Sequence, residues 1–194
     1  MYTLLLDSSN KELAIGLCKE SIVLASTIYE AWQEQSEYMI PEIEKLLNAF
    51  NVKKEEIDDV VVSIGPGSYT GVRIAITIAK IIGYSLNVPV YPISTLQVLE
   101  KEDKTSICVL DARSGRSYFG VYKREKTIVG DKILSNDEVI EYINSHPECV
   151  VCGDARYLGL EGYKANVIDS MCFLKKYLTP IDNIHKLKPV YLKD

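Results

Sequence analysis

The sequence predicts an α/β protein of two sheet-centred halves, the second smaller than the first. Three observations predict it. The N-terminal segment reads as three strands joined by tight turns. A strand ending at Val62-Ser63-Ile64 passes through Gly-Pro-Gly-Ser into a long helix. A new strand pair begins near Ser106, after the charged run Lys101-Glu-Asp-Lys104, as a degenerate repeat of the opening would. With 194 residues, 47% of them hydrophobic, the chain is long and apolar enough for a real core.

The elements follow in order. Tyr2 to Asp7 is an apolar run suited to a buried strand, and Ser8-Ser9-Asn10-Lys11 is a polar turn. Leu13 to Cys18 and Ser21 to Tyr29 are two more strands around the short turn Lys19-Glu20. From about Ser36 to Phe50 a helix carries Met39, Ile43, Leu46, Leu47 and Phe50 on one stripe. Pro41 falls in its first turns, where a lost N–H costs least. The strand from Val60 leads to a helix from about Tyr69 to Leu86, with Ser68 placed as its N-cap. Val88 to Ile93 is a strand whose Pro89 and Pro92 favour a sheet edge. Ser94-Thr95 is placed to cap a short helix reaching Lys101. Strands Ser106 to Leu110 and Ser117 to Lys123, a helix near Asp137 to Asn144 and a strand Glu148 to Cys152 make the second half. The stretch 157–176 holds one or two short elements without clear period, and 180–194 reads as an extended tail. Three strands, helix, strand, helix, strand is the order of the ribonuclease H-like half of actin-like, Hsp70-like ATPases.

The second helix has more apolar surface than one sheet needs. At about 100° per residue, Thr70, Arg73, Thr77, Lys80 and Tyr84 form a narrow polar stripe. The remaining arc of roughly 220° is apolar or small, against a little over 100° for an ordinary surface helix. Gly71, Ala75, Ala79 and Gly83 form a ridge that permits close backbone approach, with Ile74, Ile78 and Ile81 beside it. One face should cover the helix's own sheet and the other a second molecule. The period leaves open which row faces out, and the small ridge is the preferred reading.

Gly65-Pro66-Gly67-Ser68-Tyr69-Thr70-Gly71-Val72-Arg73 resembles the signature of the TsaB (YeaZ) family, the dimerisation subunit of the bacterial tRNA threonylcarbamoyladenosine machinery. Leu6-Asp7-Ser8-Ser9, the run Gln35 to Pro41, Val88-Pro89-Val90, Ser94-Thr95-Leu96, the run Asp111 to Tyr118 and Pro189-Val190-Tyr191-Leu192 fit the same resemblance in order. It implies the actin-like (ASKHA) fold, with residues 1–103 as a ribonuclease H-like domain bearing the partner-binding helices. Residues 104–194 would be a smaller, degenerate C-terminal domain with an extended tail. It further implies a non-catalytic platform that binds the catalytic subunit TsaD and works with the ATPase TsaE. Together these transfer threonylcarbamoyl to an adenosine beside the tRNA anticodon. The expected interface is Met39, Ile43, Leu46 and Leu47 with Gly71, Val72, Arg73, Ala75, Ile76, Ala79 and Gly83. Homodimerisation is expected when the partner is absent, and contact with tRNA only through the complex. Burying such a helix pair would be worth on the order of 10 kcal/mol before association costs.

The chemistry-bearing residues are few. Asp7 ends the first strand, as in actin-like kinases, but no glycine follows it; an Asx turn is the competing reading. Asp111-Ala-Arg-Ser-Gly115 offers one late glycine where a second phosphate loop needs two, so a working ATPase site is not expected. Gly65, Pro66, Gly67 and Ser68 at a helix N-terminus suit either an anion or a tight docking turn. Arg73 can fork to a carboxylate or phosphate, or be a solvated charge. His146 with Cys149 and Cys152 has zinc-like spacing, yet lies at a strand with no second pair, so no metal and no cofactor are expected. Neither histidine has a hydrolase motif around it, and Met39-Ile-Pro-Glu-Ile43 stands where the paired metal-binding histidines of TsaD would fall. An ATP-dependent kinase of the same fold is the alternative function. A net charge of −5 disfavours dominant RNA binding but leaves room for a local basic patch. The five scattered cysteines read as reduced thiols. No signal or membrane segment is apparent, so a cytoplasmic protein without membrane contact is expected.

Overall fold

The structure, a computed structural model, describes residues 1–124 and 126–192. Among the described residues nine strands form two sheets. In the first, β1 (Tyr2–Asp7), β2 (Glu12–Lys19) and β3 (Ile22–Glu30) are an antiparallel meander, and β4 (Ile57–Ser63) and β5 (Val90–Ile93) add in parallel, giving the order β3-β2-β1-β4-β5. In the second, β6 (Ser106–Arg113), β7 (Arg116–Lys123) and β8 (Lys126–Ser135) repeat the meander and β9 (Val150–Gly153) pairs parallel to β6, giving β8-β7-β6-β9. The second sheet therefore has the topology of the first without its last strand.

Period-two alternation sorts the first sheet's faces. Leu4 and Leu6 of β1, and Val60 and Val62 of β4, point to α1 (Gln35–Ala49) and α2 (Tyr69–Leu86). Leu5 and Val61 point the other way, onto Ile168, Met171 and Leu174 of α4 (Val167–Leu174). Gly16 of β2 is required here, because a Cβ would run into the Ile168 side chain. On that face Asp59 of β4 sits opposite Thr3 of β1, and the Lys175 ammonium bonds the Asp59 carboxylate and the Thr3 hydroxyl (2.8 Å). The chain thus returns after the second sheet to cover the first.

In the second sheet, Ile107, Val109, Phe119 and Val121 pack under α3 (Asn136–Ser145), which starts at the capping box Ser135/Glu138. Cys108, Leu110, Tyr118 and Tyr122 face Leu96 of the connection between the halves. There Ser94 Oγ and the Tyr122 hydroxyl both donate to Asp131 of β8. Burial pushes the Asp131 carboxyl above its ordinary value.

The expected α2 boundaries are observed, with Ser68 accepting from Gly71 N–H and Asn87 left-handed at the C-cap. Two elements depart from expectation. β8 occupies a stretch to which no strand was assigned, and the expected short helix after Thr95 is a single 3-10 turn at Gln97–Leu99. Stretch 157–176 resolves into a 3-10 turn at Arg156–Leu158, α4, and a 3-10 turn at Lys175–Tyr177 that follows it. Residues 180–192 are extended apart from a 3-10 turn at Ile184–Lys186, and they bond the first sheet through Ile181 N–H to Val90 carbonyl (2.9 Å) and Val190 N–H to Ile64 carbonyl (2.7 Å). No helix of the described residues is long and apolar enough to cross a membrane.

Candidate functional site

The turn before α2 is stapled to the turn after β1. Ser68 N–H donates to Ser9 carbonyl (2.7 Å), and Ser8 hydroxyl donates to Gly71 carbonyl (2.7 Å). A Cβ at Gly67 would overlap the Ser9 carbonyl oxygen, and one at Gly71 the Ser8 carbonyl oxygen. Gly65 has φ +100° and backs onto Val190 of the tail. The four-residue turn is thus held in close backbone contact with the turn after β1 and with the tail. Gly71→Ala is expected to lower stability by about 3 kcal/mol, since the neighbour that must move is backbone. Urea denaturation of the variant checks it, and a loss below about 1 kcal/mol would contradict the close approach.

Asp7 is consumed in the same junction. One carboxylate oxygen accepts from Ser9 N–H (2.6 Å) and Ser9 Oγ (2.7 Å), the other from Ser63 Oγ (2.7 Å). This is the Asx-turn reading, extended to the next strand. Asp111 does the same for Arg113 N–H (2.7 Å), inside a hairpin that closes through Arg113, Ser114 and Gly115 at positive φ. Between the halves lies a cleft of about 540 Å³ bordered by Asp7, Thr95, Gly153 and Arg156. Of the cations along it, Lys164 pairs with Glu12 (3.2 Å) and Arg156 with Asp154 (2.8 Å), and Lys11 borders it as well. Gly153, at φ +95°, donates its N–H to Tyr163 carbonyl, and Gly162 packs against its carbonyl. The Gly153 amide is therefore engaged within the chain.

The helix pair is where expectation and structure diverge. Of the residues expected to meet a partner, Met39, Ile43, Leu46, Leu47, Gly71, Val72, Ala75, Ile76, Ala79 and Gly83 are all buried within the chain. The small ridge lies on the bulky valines of β4 and β5, where it lets the helix approach the sheet; a Cβ at Gly83 would press into Val90. Only Arg73 of that set is exposed. The outward face is the other row. Ile40 of α1 (45% exposed) and Ile81 of α2 (59%) flank a groove of about 480 Å³ completed by Ile74, Ile78 and Thr77. Arg73 stands at its rim, its guanidinium 4.0 Å over the Tyr69 ring and its Nε donating to the Tyr191 hydroxyl (2.6 Å).

The zinc-like spacing does not assemble. His146 stacks on Tyr142 (4.1 Å between ring centroids), Cys152 is buried across the ladder from Cys108, and Cys149 lies outside the strand. Burial drives the Cys108 thiol well up, while the Cys108 contact lowers Cys152. Among the described residues no group of three or more potential ligands could hold a metal ion.

Residues 29–157 match the family described as TsaD, tRNA N6-adenosine threonylcarbamoyltransferase. The chain is 36% identical over 144 residues to the "tRNA threonylcarbamoyladenosine biosynthesis protein TsaB" of Bacillus subtilis, an alignment spanning 72% of this chain and 62% of that one. It is 30% identical over 222 residues to the protein of the same name from Buchnera aphidicola subsp. Baizongia pistaciae, spanning 94% and 96%. Among solved structures, "YeaZ from Pseudomonas aeruginosa" superposes with a TM-score of 0.78 at 21% identity over 98% of this chain and 99% of that one, which establishes a shared fold.

Proposed function

Because this chain belongs to the TsaB family of tRNA threonylcarbamoyladenosine biosynthesis proteins, we propose that it is a non-catalytic platform for the threonylcarbamoyl-transferring subunit. The observation that carries this reading is the exposed isoleucine groove on α1 and α2. Exposed apolar surface of this kind, rimmed by Thr70, Thr77 and Arg73, marks a protein interface. The match to the transferase's own family supports a partner of like fold, which would present a comparable helix pair. With that partner absent, the groove pairs with a second copy of itself, and with it present, the ATPase TsaE joins the assembly. The partner-binding helices belong to the first half, residues 1–103, and the reduced second half, 104–194, supplies α4 and the tail that brace it.

The direct test is co-expression with the transferase subunit followed by affinity capture through this chain. Recovery of the two in equal amounts supports the platform; recovery of this chain alone sinks it. The kinase alternative separates by calorimetry. No binding heat is expected when ATP·Mg²⁺ is titrated into the isolated chain, because Asp7, Asp111 and the Gly153 turn are all bonded internally. Micromolar binding in the cleft would favour the kinase.

A further inference from the structure

From the end of the isoleucine groove lined by Tyr69 and Arg73, the tail runs along α2 antiparallel to the helix. Tyr191 stacks on Tyr69 near the helix start (ring centroids 5.1 Å, 24° between planes). Near its end the His185 ring lies 5.9 Å from that of Tyr84, and Lys80 Nζ donates to His185 carbonyl (3.4 Å). Arg73 bridges Tyr69 and Tyr191, and among the described residues its terminal Nη groups have no hydrogen-bond partner. Lys186 and Lys188 are exposed on the tail. Tyr69, Tyr84 and Tyr191 are 57%, 69% and 45% exposed. Although acidic residues outnumber basic ones 27 to 22 in the chain, neither α2 nor the tail from Asn183 to Leu192 contains one. Asp182 lies just upstream of the strip. From Tyr69 to Tyr84 the strip is about 22 Å long at the helical rise.

We propose that this strip binds single-stranded RNA, with bases stacked on the exposed tyrosine rings and phosphates on Arg73, Lys80, Lys186 and Lys188. Alternating aromatic and cationic side chains on one surface is the arrangement that unpaired nucleic acid requires. A protein partner fits less well. Lysine is depleted in protein interfaces, and three of the four fixed cations are lysines. The overall net charge of −5 then disfavours non-specific phosphate binding over the rest of the surface. The chain would touch RNA directly, not only through its partner.

The test is fluorescence anisotropy of the full chain, alone and with its transferase partner, against a labelled unmodified tRNA transcript and a labelled single-stranded oligouridylate. Both probes are expected to bind at low salt. Lys186→Ala with Lys188→Ala should weaken binding at least tenfold and flatten the salt dependence by about 0.7 per lost phosphate contact. Tyr84→Ala should weaken binding with the slope unchanged. Absence of RNA binding, or variants that bind like the wild type, overturns the proposal. So does loss of partner capture in these variants, which would assign the strip to the protein interface. The choice of tRNA as probe rests on the proposed platform role. RNA binding without partner capture would sink that role and spare the strip, and capture without RNA binding would do the reverse.

Discussion

Ile81→Glu is expected to abolish capture of the transferase subunit while leaving the fold intact. Ile81 is 59% exposed in the isolated chain, so the carboxylate is solvated until a partner arrives. Docking would then strip it of water inside an apolar groove, next to Ile74 and Ile78. A loss of about 3 kcal/mol, roughly 100-fold in affinity, is the expected scale. The same variant should be monomeric in size-exclusion chromatography at concentrations where the wild type self-associates. Ala79→Glu makes the contrast. Ala79 is wholly buried between α2 and its own sheet, so this change should destroy folding rather than binding. If Ile81→Glu captures the partner normally, the groove is not the interface. If Ala79→Glu instead folds and loses only the partner, the original choice of face stands.

The burial of the small ridge within the chain's own core shows what the sequence can and cannot carry. The α2 boundaries were legible because chemistry marks them: Ser68 caps the start, and Asn87 followed by Pro89 ends it. Its orientation was not. Periodicity locates the boundary between apolar and polar arcs, and here the apolar arc is wide enough to hold two candidate rows. Small residues suit close approach to a helix or to a sheet equally. The choice is made by what the helix packs on: the Ser8 carbonyl sits against Gly71, Val90 and the Val88 carbonyl against Gly83, and Val60 and Val62 of β4 lie in the same core. No property of residues 69–86 alone encodes that.

β8 escaped for a different reason. It is an edge strand exposed on one face and only half-buried on the other, where Asp131 stands between Val129 and Ile133, so the sequence shows no apolar alternation. Asp131 is there to receive Ser94 and Tyr122, a contact between distant segments. The eight residues of α4 are too few to display a period, and they are apolar because they lie flat on a sheet across its far face. The tail's role was equally hidden. Arg73 and Tyr191 are 118 positions apart, and only the fold reveals that they bond.

The second large effect lies under α4. Lys175 and Asp59 form an ion pair whose side chains are 14% and 3% exposed, with Thr3 as a further acceptor for the ammonium. Their mutual attraction about offsets the cost of taking both charges out of water, so the intact pair adds little net stability. Breaking it is another matter. Lys175→Met would leave the Asp59 carboxylate buried without a counter-ion, at an expected cost of about 3–5 kcal/mol. Replacing both, as Asp59→Leu with Lys175→Met, should recover most of that loss, because no charge is then left behind. Urea unfolding of the two single variants and the double variant measures the coupling. A loss under about 1 kcal/mol for Lys175→Met would mean that the pair is hydrated and α4 loosely held. Partner capture supplies the complementary readout. The groove lies on the opposite face of the same sheet, so the folded fraction of Lys175→Met should bind the transferase as tightly as the wild type. Weakened binding by that folded fraction would instead make the α4 face part of how α1 and α2 are held in position.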